Sequence, residues 1–302
     1  MNFQRKEEKR LKTENRIISV SGGIYTVETS DRLVQAKSRG VFRQKGIKPV
    51  TGDYVELQFE ENTDPVISEV LERKNVIIRP PLANVDIMVL VVSSCEPEPN
   101  LFVLDKLTAI FESKGIETVY AFTKIDRVRA EEYAGIYENI GYKTFMIDNT
   151  TGEGSALLAD YLKGKTSALI GNTGVGKSSL MNYIAPVAEH KTSEISRKLG
   201  RGRHTTREVK LYRLDGSTYI ADTPGFSTVE VSKYGVIASS EVAECFREFS
   251  MYTDKCRFRD CAHIKEDSCA VRAAVKDGSI AASRHESYCK IYGEAVKKEN
   301  EY

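Results

Sequence analysis

This chain of 302 residues lacks the features that would assign it quickly to a class. It has no charge imbalance: 44 Lys/Arg against 43 Asp/Glu leave +1, so no global field marks a nucleic-acid binder and any basic surface must be local. It has no apolar stretch behind the charged N-terminal MNFQRKEEKRLKTENR, which argues against a secretory signal of the usual kind. It has no long hydrophobic run. IMVLVV at 87–92, the longest in the first half, is far too short to cross a bilayer. No internal repeat is visible. These absences together predict a cytosolic protein without a membrane partner. In that compartment thiols stay reduced, so its six cysteines are read for metal or core roles and not as a disulfide framework. What remains is an apolar share of 41% with mixed charge, enough chain for two or three domains with cores of their own.

Residues 16–72 read as short strands: IISV, YTVE, VELQF and VISEV sit between the turn signals GG, SD, RG, VTGD and ENTDP. Such spacing fits a small barrel, OB or SH3-like, and the pattern does not choose between them. Charge is segregated within this region. Residues 1–48 hold twelve Lys/Arg and five acids, and 49–72 hold seven acids and no Lys/Arg. A basic stretch on a small barrel suits a phosphate backbone, or equally a solvated tail. From residue 86 the texture changes to buried-strand runs (DIMVLVVSS, ETVYAFTK, KTFMID, TSALIG, STYIAD) alternating with helical segments at 101–114 and 154–163 and in SSLMNYI, the pattern of a parallel α/β sheet. Beyond 235 the chain reads as helical with a cysteine-rich interruption.

GNTGVGKS at 171–178 follows a strand and opens a helix, as the phosphate-binding pattern G-x-x-x-x-G-K-[ST] requires. Gly171, Gly174 and Gly176 allow the sharp turn that converges backbone N–H groups on phosphate oxygens, and Asn172, Thr173, Val175 and Ser179 complete the cradle. Lys177 would reach the β- and γ-phosphates, and Ser178 would ligate Mg²⁺. DTPG at 222–225 ends a strand, where Asp222 would hold the Mg²⁺ shell and the Gly225 N–H would sense a γ-phosphate. Between them, residues 191–210 carry seven basic and two acidic side chains, and Thr205 and Thr206 are the hydroxyls available to reach the metal.

TKID at 123–126 ends a buried strand, where a doubly wound sheet places ligand contacts. Guanine presents N1–H and its N2 amine as adjacent donors, which the Asp126 carboxylate can accept together while the Lys124 stem packs over the ring. The nucleotide is then GTP. The order along the chain is base motif, phosphate loop, switch, the reverse of an ordinary P-loop GTPase, and it implies a permuted domain joined through the helix at 154–163. Its new end falls directly after DTPG, so nucleotide state would pass to the C-terminal segment through almost no intervening chain. Two other readings stay open on these residues alone: an ATP-using P-loop enzyme, and a constitutive RNA-binding module in which nucleotide is structural.

Residues 256–269 read C-x4-C-x-H-x5-C, and Cys256, Cys261, His263 and Cys269 make a closed four-donor set suited to structural Zn²⁺. Cys95, Cys245 and Cys289 have no partner pattern and are expected in the core.

The permuted order, the GRHTT loop, DTPGF and the CRFRDCAH…CAV module together resemble the family of bacterial ribosome small-subunit-dependent GTPases (RsgA, also called YjeQ or YloQ), over nearly the whole chain. The resemblance implies a multidomain α/β protein: a basic tail at 1–15, an OB-like β-barrel at 16–75, a circularly permuted P-loop GTPase domain at 80–230 and a mainly helical zinc-binding domain at 231–302. It implies a monomer whose partners are GTP, GDP, the small ribosomal subunit and its rRNA, one structural zinc, and Mg²⁺ with GTP. It also implies a role in late subunit maturation, with hydrolysis stimulated by the subunit and release afterwards. Thr206 becomes the Mg²⁺-contacting threonine. Phe226 stands where many GTPases orient water with glutamine, and the family gives that role to the histidine matching His204. The chain departs from the family pattern twice. N-K-x-D appears as T-K-x-D, so Thr123 offers a hydroxyl where a carboxamide usually contacts the phosphate loop. The Ser-Ala of the second base motif falls on Asp148 and Asn149, where a backbone N–H would reach guanine O6.

Overall fold

The computed structural model describes residues 15–40, 42, 46–60, 63–186, 209–223, 235 and 237–301. They form two compact units, the first from the described residues within 1–86, 162–169 and 185–224, the second from those within 87–161, 170–184 and 225–302.

The first unit begins with strands β1 (Arg16–Ser21), β2 (Ile24–Glu28), β3 (Leu33–Ser38), β4 (Val55–Gln58) and β5 (Val66–Val70). Gly22 and Gly23 join β1 to β2 at φ of 57° and 84°, the paired positive values of a tight hairpin turn whose twist matches its strands. β1, β2 and β3 are antiparallel neighbours, β3 pairs in parallel with β5, and β4 pairs antiparallel with β5. Arg16 bridges Tyr54, and the Val55 N–H donates to the Asn15 carbonyl at 3.0 Å, so β4 comes back to β1 and closes the five strands. That order decides for the OB-like barrel. Period-two alternation fills its interior with Ile17, Tyr25, Val27, Val34, Ala36, Val55 and Ile67. A short ribbon, β6 (Val76–Ile77) with β7 (Leu82–Ala83), follows it.

The second unit opens with β8 (Ile87–Ser93), α1 (Leu101–Glu112), β9 (Glu117–Thr123), α2 (Glu131–Glu138), β10 (Lys143–Ile147) and α3 (Ser155–Tyr161). The three strands are parallel in the order β10-β9-β8, with the helices as crossovers. β8 is buried along its whole length, which is why its sequence is a continuous apolar run and not an alternating one. The Asn100 side chain caps α1 by accepting the Val103 N–H at 3.1 Å.

Next come β11 (Thr166–Ile170), α4 (Lys177–Ile184), β12 (Lys210–Arg213) and β13 (Tyr219–Asp222). Within the first unit β11 pairs in parallel with β13, β12 pairs antiparallel with β13, and Ser19 of β1 faces Lys210 of β12. α4 belongs to the second unit.

The C-terminal segment of the second unit runs through four 3₁₀ turns between Ser239 and Lys255 before α5 (Ala270–Lys276) and α6 (Ala282–Glu299). Its apolar centre includes Val242, Phe246, Phe249, Val271 and Tyr288. Arg284 of α6, 1% exposed, donates to Asp105 of α1 at 2.6 Å and to Glu248 at 2.8 Å and 3.2 Å, fastening α6 and the turn bearing Glu248 to α1. The connection expected directly after DTPG lies outside the described residues. Among the described residues no helix is long and apolar enough to cross a membrane.

Candidate nucleotide site and metal cluster

The second unit carries both nucleotide motifs. β9 ends at Thr123, and Lys124 takes the left-handed conformation (φ 60°), which turns the chain sharply before Asp126. Lys124 O accepts the Arg127 N–H at 3.0 Å and the Ser94 hydroxyl at 3.0 Å, so this turn is tied to the end of β8. Asp126 is exposed, Lys124 is half-buried, and the Lys124 ammonium donates to the Glu96 carbonyl. A carboxylate presented at a strand end on a pinned turn can reach the edge of a planar base.

Beyond β11 the phosphate loop packs tightly against its neighbours. A Cβ on Gly171 would lie 2.5 Å from the Val91 carbonyl, so a side chain there would break the contact with β8. Gly176, at φ +89°, leads into α4, whose first backbone bond runs from Leu180 N to Gly176 O at 3.0 Å. Asn172, Gly176 and Lys177 are half-buried and Val175 is buried, while Thr173, Gly174, Ser178 and Ser179 face outward at the helix N-terminus.

Two side chains from the base side grip this loop. The Thr123 hydroxyl donates to the Val175 carbonyl at 2.5 Å, and the Asn149 amide Nδ2 donates to the Gly176 carbonyl at 3.2 Å. The T-K-x-D departure pointed to a hydroxyl contact from Thr123 to this loop, and the loop carbonyl it meets is that of Val175. The Asn149 side-chain bond was not expected from sequence, where only a backbone N–H role was read at that position. Asp148 behaves differently. Its carboxylate accepts the Thr150 N–H at 2.6 Å, the Thr151 N–H at 3.3 Å and the Thr151 hydroxyl at 2.9 Å, closing the turn after β10. Those donors, Thr150 N–H foremost, hold its pKa below the ordinary value.

Thr123, Lys124, Asp126, Asp148, Asn149 and residues 171–179 are thus collected in one unit. Asp222 is exposed at the end of β13 in the first unit, where Thr223 donates to the Leu169 carbonyl at 2.5 Å. His204, Thr205, Thr206 and Gly225 lie outside the described residues.

The C-terminal segment brings Cys256, Cys261, His263 and Cys269 together, with one donor atom from each lying within 4.8 Å of every other. Cys256 Sγ is 3.9 Å from Cys269 Sγ and 3.6 Å from His263 Nδ1, and His263 Nδ1 is 3.4 Å from Cys269 Sγ. A tetrahedral ion with metal–sulfur bonds near 2.3 Å and metal–nitrogen bonds near 2.0 Å requires edges of about 3.8 Å and 3.5 Å, so the set fits. Burial, then the neighbouring sulfurs, push the Cys261 thiol up to about 12. Thiols this close ionise together only around a cation. The His263 carbonyl lies 2.7 Å from His285 Nε2, and the Tyr288 hydroxyl donates to the Ala262 carbonyl at 2.8 Å, so α6 orients the ligand loop. Of the other cysteines, Cys245 is buried as expected. Cys95 and Cys289 are only half-buried, and Cys289 Sγ lies 3.8 Å from His285 Nε2, so the core expectation fails for these two.

The RsgA GTPase family model matches residues 70–232, and the RsgA N-terminal domain model matches 14–67. The small ribosomal subunit biogenesis GTPase RsgA of Caldanaerobacter subterraneus subsp. tengcongensis is 41% identical over 289 residues, which cover 95% of this chain and 97% of that one. The protein of the same description from Alkaliphilus metalliredigens is 37% identical over 295 residues, 96% and 100% of the two chains. Among solved structures, YjeQ from Thermotoga maritima superposes with a TM-score of 0.77 at 34% identity, covering 93% of this chain and 98% of that one. YloQ, described as a circularly permuted GTPase, gives 0.74 at 32%, with 94% and 95% covered.

Proposed function

The chain belongs to the RsgA GTPase family, and from that premise we propose how its own residues carry out the reaction. It is a GTPase that acts in maturation of the small ribosomal subunit. The observation that carries the residue-level reading is the pair of hydrogen bonds from Thr123 and Asn149 to the phosphate loop, which make base-reading turns and loop one constellation although their chain order is reversed.

Asp126 accepts guanine N1–H and the N2 amine, and the aliphatic part of Lys124 covers the ring. The backbone N–H groups of 171–178, at the N-terminus of α4, hold the phosphates, and Lys177 neutralises the β- and γ-oxygens. Ser178 would be this unit's ligand for Mg²⁺, and the sequence motifs alone assign Thr206 and Asp222 to that ion. Bound there, Mg²⁺ supplies neutralisation of the charge that develops between the β- and γ-phosphates. His204, as a neutral imidazole, accepts a hydrogen bond from the attacking water in place of the glutamine that Phe226 replaces. The Cys256–Cys269 set holds one Zn²⁺ in a structural role, because four protein ligands leave no open position for chemistry. The small subunit stimulates hydrolysis, and the GDP form leaves it. The protein works in the cytoplasm as a monomer.

Steady-state GTP hydrolysis with and without purified small subunits tests this reading. A slow basal rate raised many-fold by small subunits and not by large ones is expected. A rate indifferent to ribosomes would overturn the stimulated-switch reading. Asp126→Asn tests the base assignment separately, since losing a charge-assisted pair should weaken GTP binding roughly a hundredfold; unchanged affinity would refute it.

A further inference from the structure

We propose that Asn149 is a positioning residue that clasps the phosphate loop to the base side of the site, supplying through its side chain the carboxamide that T-K-x-D lacks. This rests on the guanine-nucleotide reading above and adds to it a second, separately testable contact.

The Thr123 hydroxyl has one proton. It donates to Val175 O at 2.5 Å and lies 3.3 Å from Val92 O, so its hold on the loop is a single bond with a competitor. Asn149 adds a bond to the next carbonyl along the loop, that of Gly176. That carbonyl also accepts Leu180 N at 3.0 Å, the bond that starts α4. The grip therefore acts where the loop becomes the helix whose N-terminus faces the phosphates.

The amide can face only one way. Turned over, its oxygen would oppose the Gly176 carbonyl, two acceptors in contact. Nδ2 therefore faces the loop, and Oδ1 is left buried without a hydrogen-bond partner among the described residues. A native structure keeps such an atom where the rest of the group has a task. The approach is close as well. A Cβ on Gly176 would lie 2.3 Å from Asn149 Nδ2, so glycine at 176 is what admits the amide in this position. The Asn149 backbone is held in turn by the Asp148 turn, closed by Gly152 N donating to Asp148 O at 2.8 Å. Two adjacent loop carbonyls are thus held by side chains from the end of β9 and from the turn after β10.

The test uses the full-length protein and N-methylanthraniloyl-GDP, reading release by fluorescence. Asn149→Ala is expected to speed release about tenfold, the loss of one part-buried hydrogen bond. Asn149→Asp should be at least as fast, because it sets a carboxylate against the Gly176 carbonyl. The deciding variant is Thr123→Asn with Asn149→Ala, which returns a carboxamide to the site in the freed space. It should restore release to within about threefold of wild type. Thr123→Asn alone should not slow release, since Thr123 is fully buried and Asn149 fills the space beside it. Unchanged release in Asn149→Ala would overturn the proposal. So would a fast double variant, which would mark a packing defect that no carboxamide repairs. Failure of the wild-type protein to bind the labelled GDP at all would instead strike the guanine-site reading.

Discussion

The two units each bury a guanidinium, and they do it in opposite ways. Arg16 in the first unit is 2% exposed. Its described hydrogen bonds go to the carbonyls of Gly52 and Asn84, both at 3.4 Å, and its guanidinium carbon sits 4.5 Å and 4.9 Å from the ring centres of Tyr219 and Tyr54. Burial lowers its pKa. Arg284 in the second unit is bonded to two carboxylates, Asp105 and Glu248. Burial alone would lower it too, but those carboxylates lift it well above its ordinary value. The first solution is local: carbonyl dipoles and ring faces make a cation tolerable, with Asp86 and Glu28 acting as charges that form no ion pair with it among the described contacts. The second is architectural. Two acids brought in by other elements make α1, α6 and the turn bearing Glu248 depend on one another, and so the cysteine-bearing segment depends on the helix that follows β8.

If that dependence is real, the largest effect should come from the segment's other fastening, the metal cluster. Stripping the ion with a chelator, or Cys256→Ser, should unfold much of the 3₁₀-rich stretch at 239–255. Structural zinc contributes on the order of 10 kcal/mol in small modules, and this stretch has little regular structure of its own. Zinc stoichiometry by elemental analysis and limited proteolysis, before and after chelation, read the outcome. Cleavage confined to the C-terminal segment is expected, and protein that keeps its protease resistance without metal would count against a structural ion.

The comparison itself is tested by two matched substitutions. Arg284→Met leaves Asp105 and Glu248 buried without their cation and should cost about 3–5 kcal/mol, seen as an earlier urea transition by circular dichroism. Arg16→Met removes ring and carbonyl contacts together with the burden of a buried cation, and should cost about 1–2 kcal/mol. The Gly52 carbonyl keeps the Asn84 Nδ2 donor at 3.0 Å, so little is left unpaired. Equal losses in the two variants would break the contrast.

These differences also mark what sequence can disclose. The strand–helix alternation is legible because burial dictates it: β8 is apolar throughout since both its faces are covered. The four donors of the metal cluster are legible because they fall within fourteen residues, where spacing stands in for distance. The barrel strands are legible but their order is not, since the choice between OB and SH3-like closure rests on the parallel pairing of β3 with β5 and on Arg16 meeting Tyr54. Arg284 and Asp105 are 179 residues apart, and no local pattern links them. The clasp at the phosphate loop falls between these cases. Thr123 and Asn149 each look like a weakened motif, and only their shared reach toward Val175 and Gly176 relates them.

Asp148 satisfies charge in a third way, with donors that are neither a cation nor a ring face, and it should give the smallest effect. Its carboxylate is lowered by the Thr150 N–H first and the Thr151 hydroxyl next. A lowered folded value means that its contribution is complete above the unfolded carboxylate value, near 4, and is lost as pH falls through the lower folded one. At neutral pH the turn is therefore fully held, and Asn149 with it. Asp148→Ala should speed release of labelled GDP about two- to fivefold, the scale of a local side-chain-to-backbone bond. Asp148→Ser, which can still accept the Thr150 N–H, should stay within about twofold of wild type. The order matters more than the sizes. If Asp148→Ala released nucleotide faster than Asn149→Ala, the turn would act on the nucleotide directly and not through the amide it carries.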